Sequence, residues 1–210
     1  LRPGSRAWRA PTRGAARLVA MPESLPLFPL NTVLLPGAAL GLRVFEPRYL
    51  DLVRECGRTG TGFGVCLIAE GQEAGEPAVP MAWGTEARIE DFDSGPDGLL
   101  HLRLRGARRF HVVRTRVRDN GLVVADVDWC EPDPVAELQP QHALLGEVLR
   151  RIFEQLGDAD VRVPEPRFDD AAWVGWRLAE LLPLSLPQRQ HLLQEDDPDR
   201  RLDELLGLLS

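Results

Sequence analysis

The chain of 210 residues contains no lysine, so arginine supplies all 25 of its basic side chains. A phosphate-binding loop of the G-K-[ST] type and a serine–lysine catalytic dyad both need the missing side chain. Serine is also scarce, and none of the serines lies in a G-x-S-x-G motif. The sequence therefore excludes these three catalytic arrangements within this chain, and we predict a protein that is not an enzyme.

Cysteine and long apolar runs are also limited. Cys56, Cys66 and Cys130 are an odd number without C-x-x-C spacing, which predicts reduced thiols and a cytoplasmic protein. No run of 18 apolar residues occurs, so neither a transmembrane helix nor a membrane partner is expected. The histidines are isolated and the acidic clusters lack EF-hand spacing. No metal and no cofactor are predicted.

Charge is distributed unevenly along the chain. Residues 1–20 contain five arginines and no acid, whereas residues 21–210 carry 20 basic and 32 acidic side chains, a balance of −12. A surface of that sign repels a phosphate backbone, so nucleic acid is not an expected partner. The basic leader, residues 1–20, fits a transit peptide, a disordered arm or translated upstream sequence. Because Met21 directly precedes the first patterned segment, we favour an incorrectly assigned start.

Prolines divide the apolar segment of residues 25–53, which reads LPLFPLNTVLLPGAALGLRVFEPRYLDLV. Pro26 and Pro29 predict a short edge strand, because proline has no N–H to donate to a sheet. A turn at Pro36-Gly37 then leads to a second strand, residues 38–44, to form an early hairpin. Pro47 predicts the start of a helix.

This unit resembles the start of the Lon N-terminal domain, the substrate-recognition module at the front of ATP-dependent Lon proteases. Three later segments are similar to motifs of the same family: WGTEARI at 83–89, LRLRGARRFH at 102–111 and LAELLPLSLPQRQHLL at 178–193. The resemblance covers roughly residues 25–210. It implies a stand-alone member without the ATPase and peptidase domains.

The patterning predicts an α+β fold. Residues 21–132 are expected to form a mostly antiparallel, barrel-like sheet of about six strands with one helix, because short alternating runs are separated by turn residues. One such run, residues 100–104, is followed by Gly106 as a bend or bulge and by another strand, residues 110–117. Residues 133–210 are expected to form a helical bundle.

Four helices are predicted in that bundle. Apolar residues at steps of three and four predict the first at 135–156. Asp169 is the expected N-cap of the second, which stops before Pro183. Ser185 and Gln188 predict a capping box for the third, and Asp197-Pro198 predicts the start of the fourth.

Binding rather than catalysis is the function that the remaining apolar residues favour. The candidate peptide-binding residues are Leu34, Leu35, Leu42, Met81, Trp83 and Phe92. If exposed, they would form an apolar groove for unfolded segments, with a sheet edge near Leu27 and Leu30 available for backbone pairing. The competing interpretation is that they belong to the core.

We therefore predict a non-catalytic module that recognises exposed hydrophobic segments of unfolded or partly folded polypeptide, as an adaptor or regulator of ATP-dependent proteolysis. An alternative is an interaction scaffold that docks a folded partner, such as Lon or another AAA+ protease, through the helical bundle. A third hypothesis is a small-molecule-binding enzyme that uses a pocket of the sheet. The sequence leaves the oligomeric state open.

Overall fold

A computed structural model describes residues 23–160 and 166–209, with side-chain detail up to residue 156 and from residue 166. The leader, residues 1–20, lies outside the described residues. The first part of the described chain folds into six strands: β1 (Glu23–Leu30), β2 (Ala39–Val44), β3 (Phe63–Glu70), β4 (Val79–Ser94), β5 (Leu100–Val117) and β6 (Val123–Trp129).

All six strands belong to one sheet, in the order β2-β5-β4-β3-β1-β6. The sheet curls, because β6 pairs with β5 in addition to β1. The pairing of β1 with β3 is parallel and the others are antiparallel. The α+β class and the predicted number of strands are confirmed.

β1 lies inside the sheet, so the predicted edge strand is wrong. Its first half, residues 23–26, pairs with β6, and its second half, residues 27–30, pairs with β3. Each half thus has a partner on one side only, which allows Pro26 and Pro29 to leave the other side of the backbone unpaired.

The predicted hairpin between β1 and β2 is also wrong, because β2 pairs with β5. The connecting turn docks on Gly106 of β5: the Gly37 N–H donates to the Gly106 carbonyl at 2.8 Å, and the Gly106 N–H donates to the Ala38 carbonyl at 2.9 Å. This contact carries β2 across the sheet to β5.

β5 is one continuous strand where two were predicted. It pairs with β4 along most of its length, with two register shifts. One shift separates the pairs Ile89–Leu104 and Phe92–Leu102, so a step of three residues on β4 matches a step of two on β5. The resulting β-bulge places Ile89 and Phe92 on the same face of the sheet despite their odd spacing.

Within the described residues, five α-helices accompany the sheet: α1 (Pro47–Thr59), α2 (Ala143–Asp160), α3 (Ala171–Leu181), α4 (Leu186–Gln194) and α5 (Pro198–Leu209). The starts predicted at Pro47 and Pro198 are confirmed. Ser185 and Gln188 form the predicted capping box.

Two helix boundaries differ from the prediction. α2 begins at Ala143, after a 3-10 turn, rather than near residue 135. Residues 136–138 instead form an isolated antiparallel bridge with the residues before α3, in which the Leu138 N–H donates to the Asp169 carbonyl at 2.7 Å. Asp170, not Asp169, caps α3, and its carboxylate accepts from the Trp173 N–H at 3.0 Å.

The largest hydrophobic cluster is shared by the sheet and the helices. Phe63 and Leu104 from the sheet, Leu52 from α1, and Leu149 and Leu178 from the later helices are all buried in it. A smaller cluster lies among β1, β3, β5 and β6. The core thus runs continuously across the predicted domain boundary at 132–133, and the separability of the two parts stays a prediction.

Candidate functional site

Exposure divides the predicted binding residues, which are Leu34, Leu35, Leu42, Met81, Trp83 and Phe92. Leu34 and Leu35 are 3% and 1% exposed, so they belong to the core and not to a binding surface. Phe92 is 70% exposed, and the other three are half-buried. For Leu34 and Leu35 the competing core interpretation is therefore correct.

β4 carries three of these residues, but at opposite ends. Met81 and Trp83 lie near its start and Phe92 near its end, about 30 Å apart at roughly 3.3 Å per residue. The Trp83 ring contacts His111 edge-on at 5.2 Å between centroids, and the Trp83 carbonyl accepts from Gln190 of α4 at 3.3 Å. The Trp83 backbone thus joins the sheet to α4, and its side chain packs against the core cluster, so we expect loss of the side chain to lower stability first.

The backbone near Leu27 and Leu30 is not the outer edge predicted there, because β1 lies between β3 and β6 in the sheet. These side chains are 0% and 3% exposed, and their backbone pairs with β3. Leu42 lies opposite Leu102, which in turn lies opposite Phe92. Leu42 and Phe92 therefore share a face but are separated by β5, and Leu42 lines a separate small cavity of about 100 Å³.

An open groove of about 570 Å³ lies between the C-terminal half of α1 and the end of β4. Its apolar lining consists of Val53 from α1, Ile89 and Phe92 from β4, and Leu100 from β5. Gly57 of α1 also lines it and adds no side chain to narrow the opening. The groove is formed because α1 covers the core face of the sheet while Phe92 extends beyond it.

The charges that line this groove are each neutralised by a partner outside it. On α1, Arg54 pairs with Asp51 at 3.0 Å. On β4, Arg88 pairs with Glu86 at 2.9 Å, Glu90 with Arg105 at 2.9 Å, and Asp91 with Arg103. The groove therefore offers an apolar floor without unmatched charge among these four side chains.

A larger cleft, of about 730 Å³, separates the sheet from α3. Its arginines are already engaged: Arg105 binds Glu90, and Arg177 pairs with Glu180 at 2.5 Å and donates to the Pro36 carbonyl at 2.7 Å. Burial lowers the pKa of Arg177, while the Glu180 carboxylate opposes that shift. The cleft is thus crossed by contacts that hold the sheet to the helices.

The described residues give little support to catalysis. Burial raises the pKa of the Cys66 thiol to about 12, so it is protonated at neutral pH and is a poor nucleophile. Within residues 23–160 and 166–209, histidine, cysteine and carboxylate side chains form no group of three that could hold a metal ion. The same part of the chain has no helix long and apolar enough to span a membrane.

The sequence identified Phe92 but missed the other apolar residues of the groove. Val53 and Leu100 read as ordinary core positions of a helix and a strand. Ile89 stood in a family motif, but its distance of three residues from Phe92 placed it on the opposite face of a regular strand. Neither the bulge in β4 nor the packing of α1 beside it can be predicted from the residues next to Phe92 in the sequence.

Comparisons with known proteins agree on one family. Residues 24–210 match the family described as the ATP-dependent protease La (LON) substrate-binding domain. The structure is similar to that of a Lon N-terminal domain protein from Xanthomonas campestris, with 64% identity, a TM-score of 0.76, and coverage of 88% of this chain and 98% of that one. It also shares its fold with the N-terminal domain of Mycobacterium avium complex Lon protease, with 18% identity, a TM-score of 0.60, and coverage of 88% and 97%.

Proposed function

The chain belongs to the family of Lon substrate-binding domains, and from this premise we propose that it binds exposed hydrophobic segments of unfolded polypeptide in the groove between α1 and β4. The observation that carries the proposal is the exposure of Phe92 at this groove, at 70% of its surface. Burying such a ring is worth about 2 kcal/mol, so a ligand that covers Phe92 gains affinity from it.

Apolar segments are the ligands that this groove suits. Ile89 and Leu100 are half-buried beside Phe92 and widen the apolar surface, while the surrounding charges already have partners. Unfolded chains expose such segments and folded proteins hide most of them. Binding here would select client proteins by their state of folding, without catalysis in this chain.

A role as an adaptor or regulator of ATP-dependent proteolysis follows from the same proposal. The chain contains neither the lysine of a phosphate-binding loop nor that of a serine–lysine dyad. A client bound in the groove would be handed to an ATPase and a peptidase that these 210 residues do not contain, and Lon or another AAA+ protease is the candidate partner. Co-purification from cells, with mass spectrometry of the bound proteins, tests that partner.

Phe92→Ala tests the groove directly. We expect it to weaken binding of a fluorescent apolar peptide about tenfold, since most of the ring's burial would be lost. Phe45→Ala is the matched control, because Phe45 is also well exposed, at 58%, but does not line the groove. Fluorescence anisotropy measures the affinity, and circular dichroism confirms folding.

Two results would contradict the proposal. One is a folded protein that binds no member of a broad array of unfolded segments. The other is an equal loss of affinity in both phenylalanine variants, which would place binding elsewhere.

The alternative, docking of a folded partner, has one observation in its favour. Leu144 at the start of α2 is 62% exposed and does not line the groove. If α2 is the docking face, Leu144→Glu should release a co-purified protein while peptide affinity stays unchanged.

A further inference from the structure

β4 has an unpaired edge beside the groove. The last pair between β3 and β4 joins Phe63 to Ala87, yet β4 continues to Ser94. Residues 88–94 pair with β5 on one side. On their other side, no strand of the part of the chain that the structure describes continues the sheet.

The groove occupies the position that β3 would fill if it were longer. One wall is formed by Gly57 of α1 and by Gly60 and Thr61 in the short link from α1 to β3, and the other by residues 88–92 of β4. Thus the free edge and the apolar floor face the same space. An extended strand of five or six residues, the usual length, matches the edge.

A free strand edge sets the chemistry of what can bind to it. It presents backbone N–H and C=O groups, which pair with another extended backbone. A helical ligand cannot pair with this edge, because its backbone groups form hydrogen bonds within the helix. The Phe92 N–H donates to the carboxylate of neighbouring Asp91 at 3.0 Å, a local contact that an incoming carbonyl can replace.

β2 also has a free edge, but its contacts and the cavity beside it differ from those of β4. β2 pairs with β5 alone, but its Ala39 N–H donates to Glu180 of α3 at 3.1 Å. The cavity near β2 is small, about 100 Å³. β2 therefore serves as an internal control.

We infer that the groove binds an extended, uncharged apolar segment of unfolded polypeptide as an added strand on residues 88–94 of β4, in line with β3. The inference rests on the proposed function and specifies its binding mode. Alternate side chains of the segment would face Ile89 and Phe92, and the ones between would face away. Because Arg88, Glu90 and Asp91 already form ion pairs, we expect charged side chains on the bound segment to add no affinity.

Backbone N-methylation of a bound peptide tests the inference. A peptide that binds the full chain is methylated at one amide at a time, which removes an N–H without changing the side chain. In an added strand only every second N–H faces β4. We expect methylation at those amides to weaken binding at least tenfold, and at the others less than threefold, as measured by anisotropy.

Hydrogen exchange of the protein is the second measurement. Bound peptide should slow exchange of amides within residues 88–94 at least tenfold and leave residues 39–44 of β2 unchanged. Uniform tolerance of N-methylation together with unaltered exchange in β4 would overturn strand addition. If binding still depends on Phe92 in that case, the groove binds side chains only and the proposed function survives. If no peptide binds at all, the proposed function fails as well.

Discussion

At the scale of single residues, Asp133 joins three side chains from distant parts of the fold. It accepts from Arg201 at 3.0 Å and from the Trp176 indole at 2.6 Å, and it lies 3.8 Å from Arg109. Arg201 is fully buried, and burial lowers its pKa while the Asp133 carboxylate opposes that shift. Asp133 therefore neutralises a charge that water cannot reach.

Asp133→Ala should lower the free energy of unfolding by about 3 kcal/mol, because it leaves a buried guanidinium without its counter-ion. Thermal or urea unfolding measures the loss. Asp51→Ala is the control, since the Asp51–Arg54 pair is exposed and such pairs contribute about 0–1 kcal/mol. Similar losses in the two variants would mean that the Asp133 cluster adds nothing beyond a surface ion pair.

Residues of the motifs on which the family resemblance rests make contacts that connect different parts of the fold. The buried Thr85 hydroxyl donates to the Leu34 carbonyl at 2.6 Å. Arg109, also buried, donates to the Leu193 carbonyl and to Asp196, both at 2.9 Å, and so fixes the connection between α4 and α5. The recognisable residues thus specify the fold, and the groove is lined mainly by others.

At the scale of elements, two glycines of the sheet lie where neighbouring atoms leave no room for a side chain. A Cβ at Gly106 would lie 2.1 Å from the Leu35 carbonyl oxygen, in the turn that leads to β2. A Cβ at Gly84 of β4 would lie 2.6 Å from the Cys66 sulfur, the Phe110 ring and the Val65 carbonyl oxygen. Both positions require the absence of a side chain.

Gly84→Ala should destabilise the protein by about 1–3 kcal/mol, the usual cost of overpacking, because part of what it meets is backbone. Gly41→Ala is the matched control: Gly41 also lies in a strand, but a Cβ there meets nothing within 4 Å. We expect its effect to be small and to reflect strand propensity alone. Chemical denaturation of both variants provides the comparison, and equal destabilisation would contradict the steric explanation.

Local patterns predicted the ends of elements better than their partners. Pro47, Ser185 and Pro198 act within one helical turn, and each was placed correctly. The partners of β1 and β2 depend on contacts with residues far along the chain, and there the sequence predicted a hairpin that does not form. The bulge in β4 was missed for the same reason, and with it the place of Ile89 in the groove.

At the scale of the whole molecule, sheet and helices share one core. Leu149, Leu178 and Leu202 from the helices belong to the same buried cluster as Phe63 and Leu104 from the sheet. Removing the helices would expose that face of the sheet to water. The free-energy cost is about 25 cal/mol for each Å² of apolar surface exposed.

A chain of residues 21–132 should therefore lack a cooperative unfolding transition, whereas residues 21–210 should show one. Circular dichroism during heating and the dispersion of amide signals in NMR spectra report the difference. A well-folded sheet fragment would instead establish the predicted boundary at 132–133 as a true domain boundary. If the fragment fails to fold, deletion of the helices cannot test partner docking, and point changes such as Leu144→Glu are needed.

The sequence by itself determined the family, the α+β class, most helix starts and the absence of lysine chemistry, because these depend on residue identity and on short-range backbone preferences. It also identified Phe92 as a candidate. Only the tertiary structure decided that Leu34 and Leu35 are core, that β1 is internal and that β4 has a free edge beside the groove. Solvent exposure and strand pairing depend on which distant segments of the chain come into contact, and local sequence patterns do not specify those contacts.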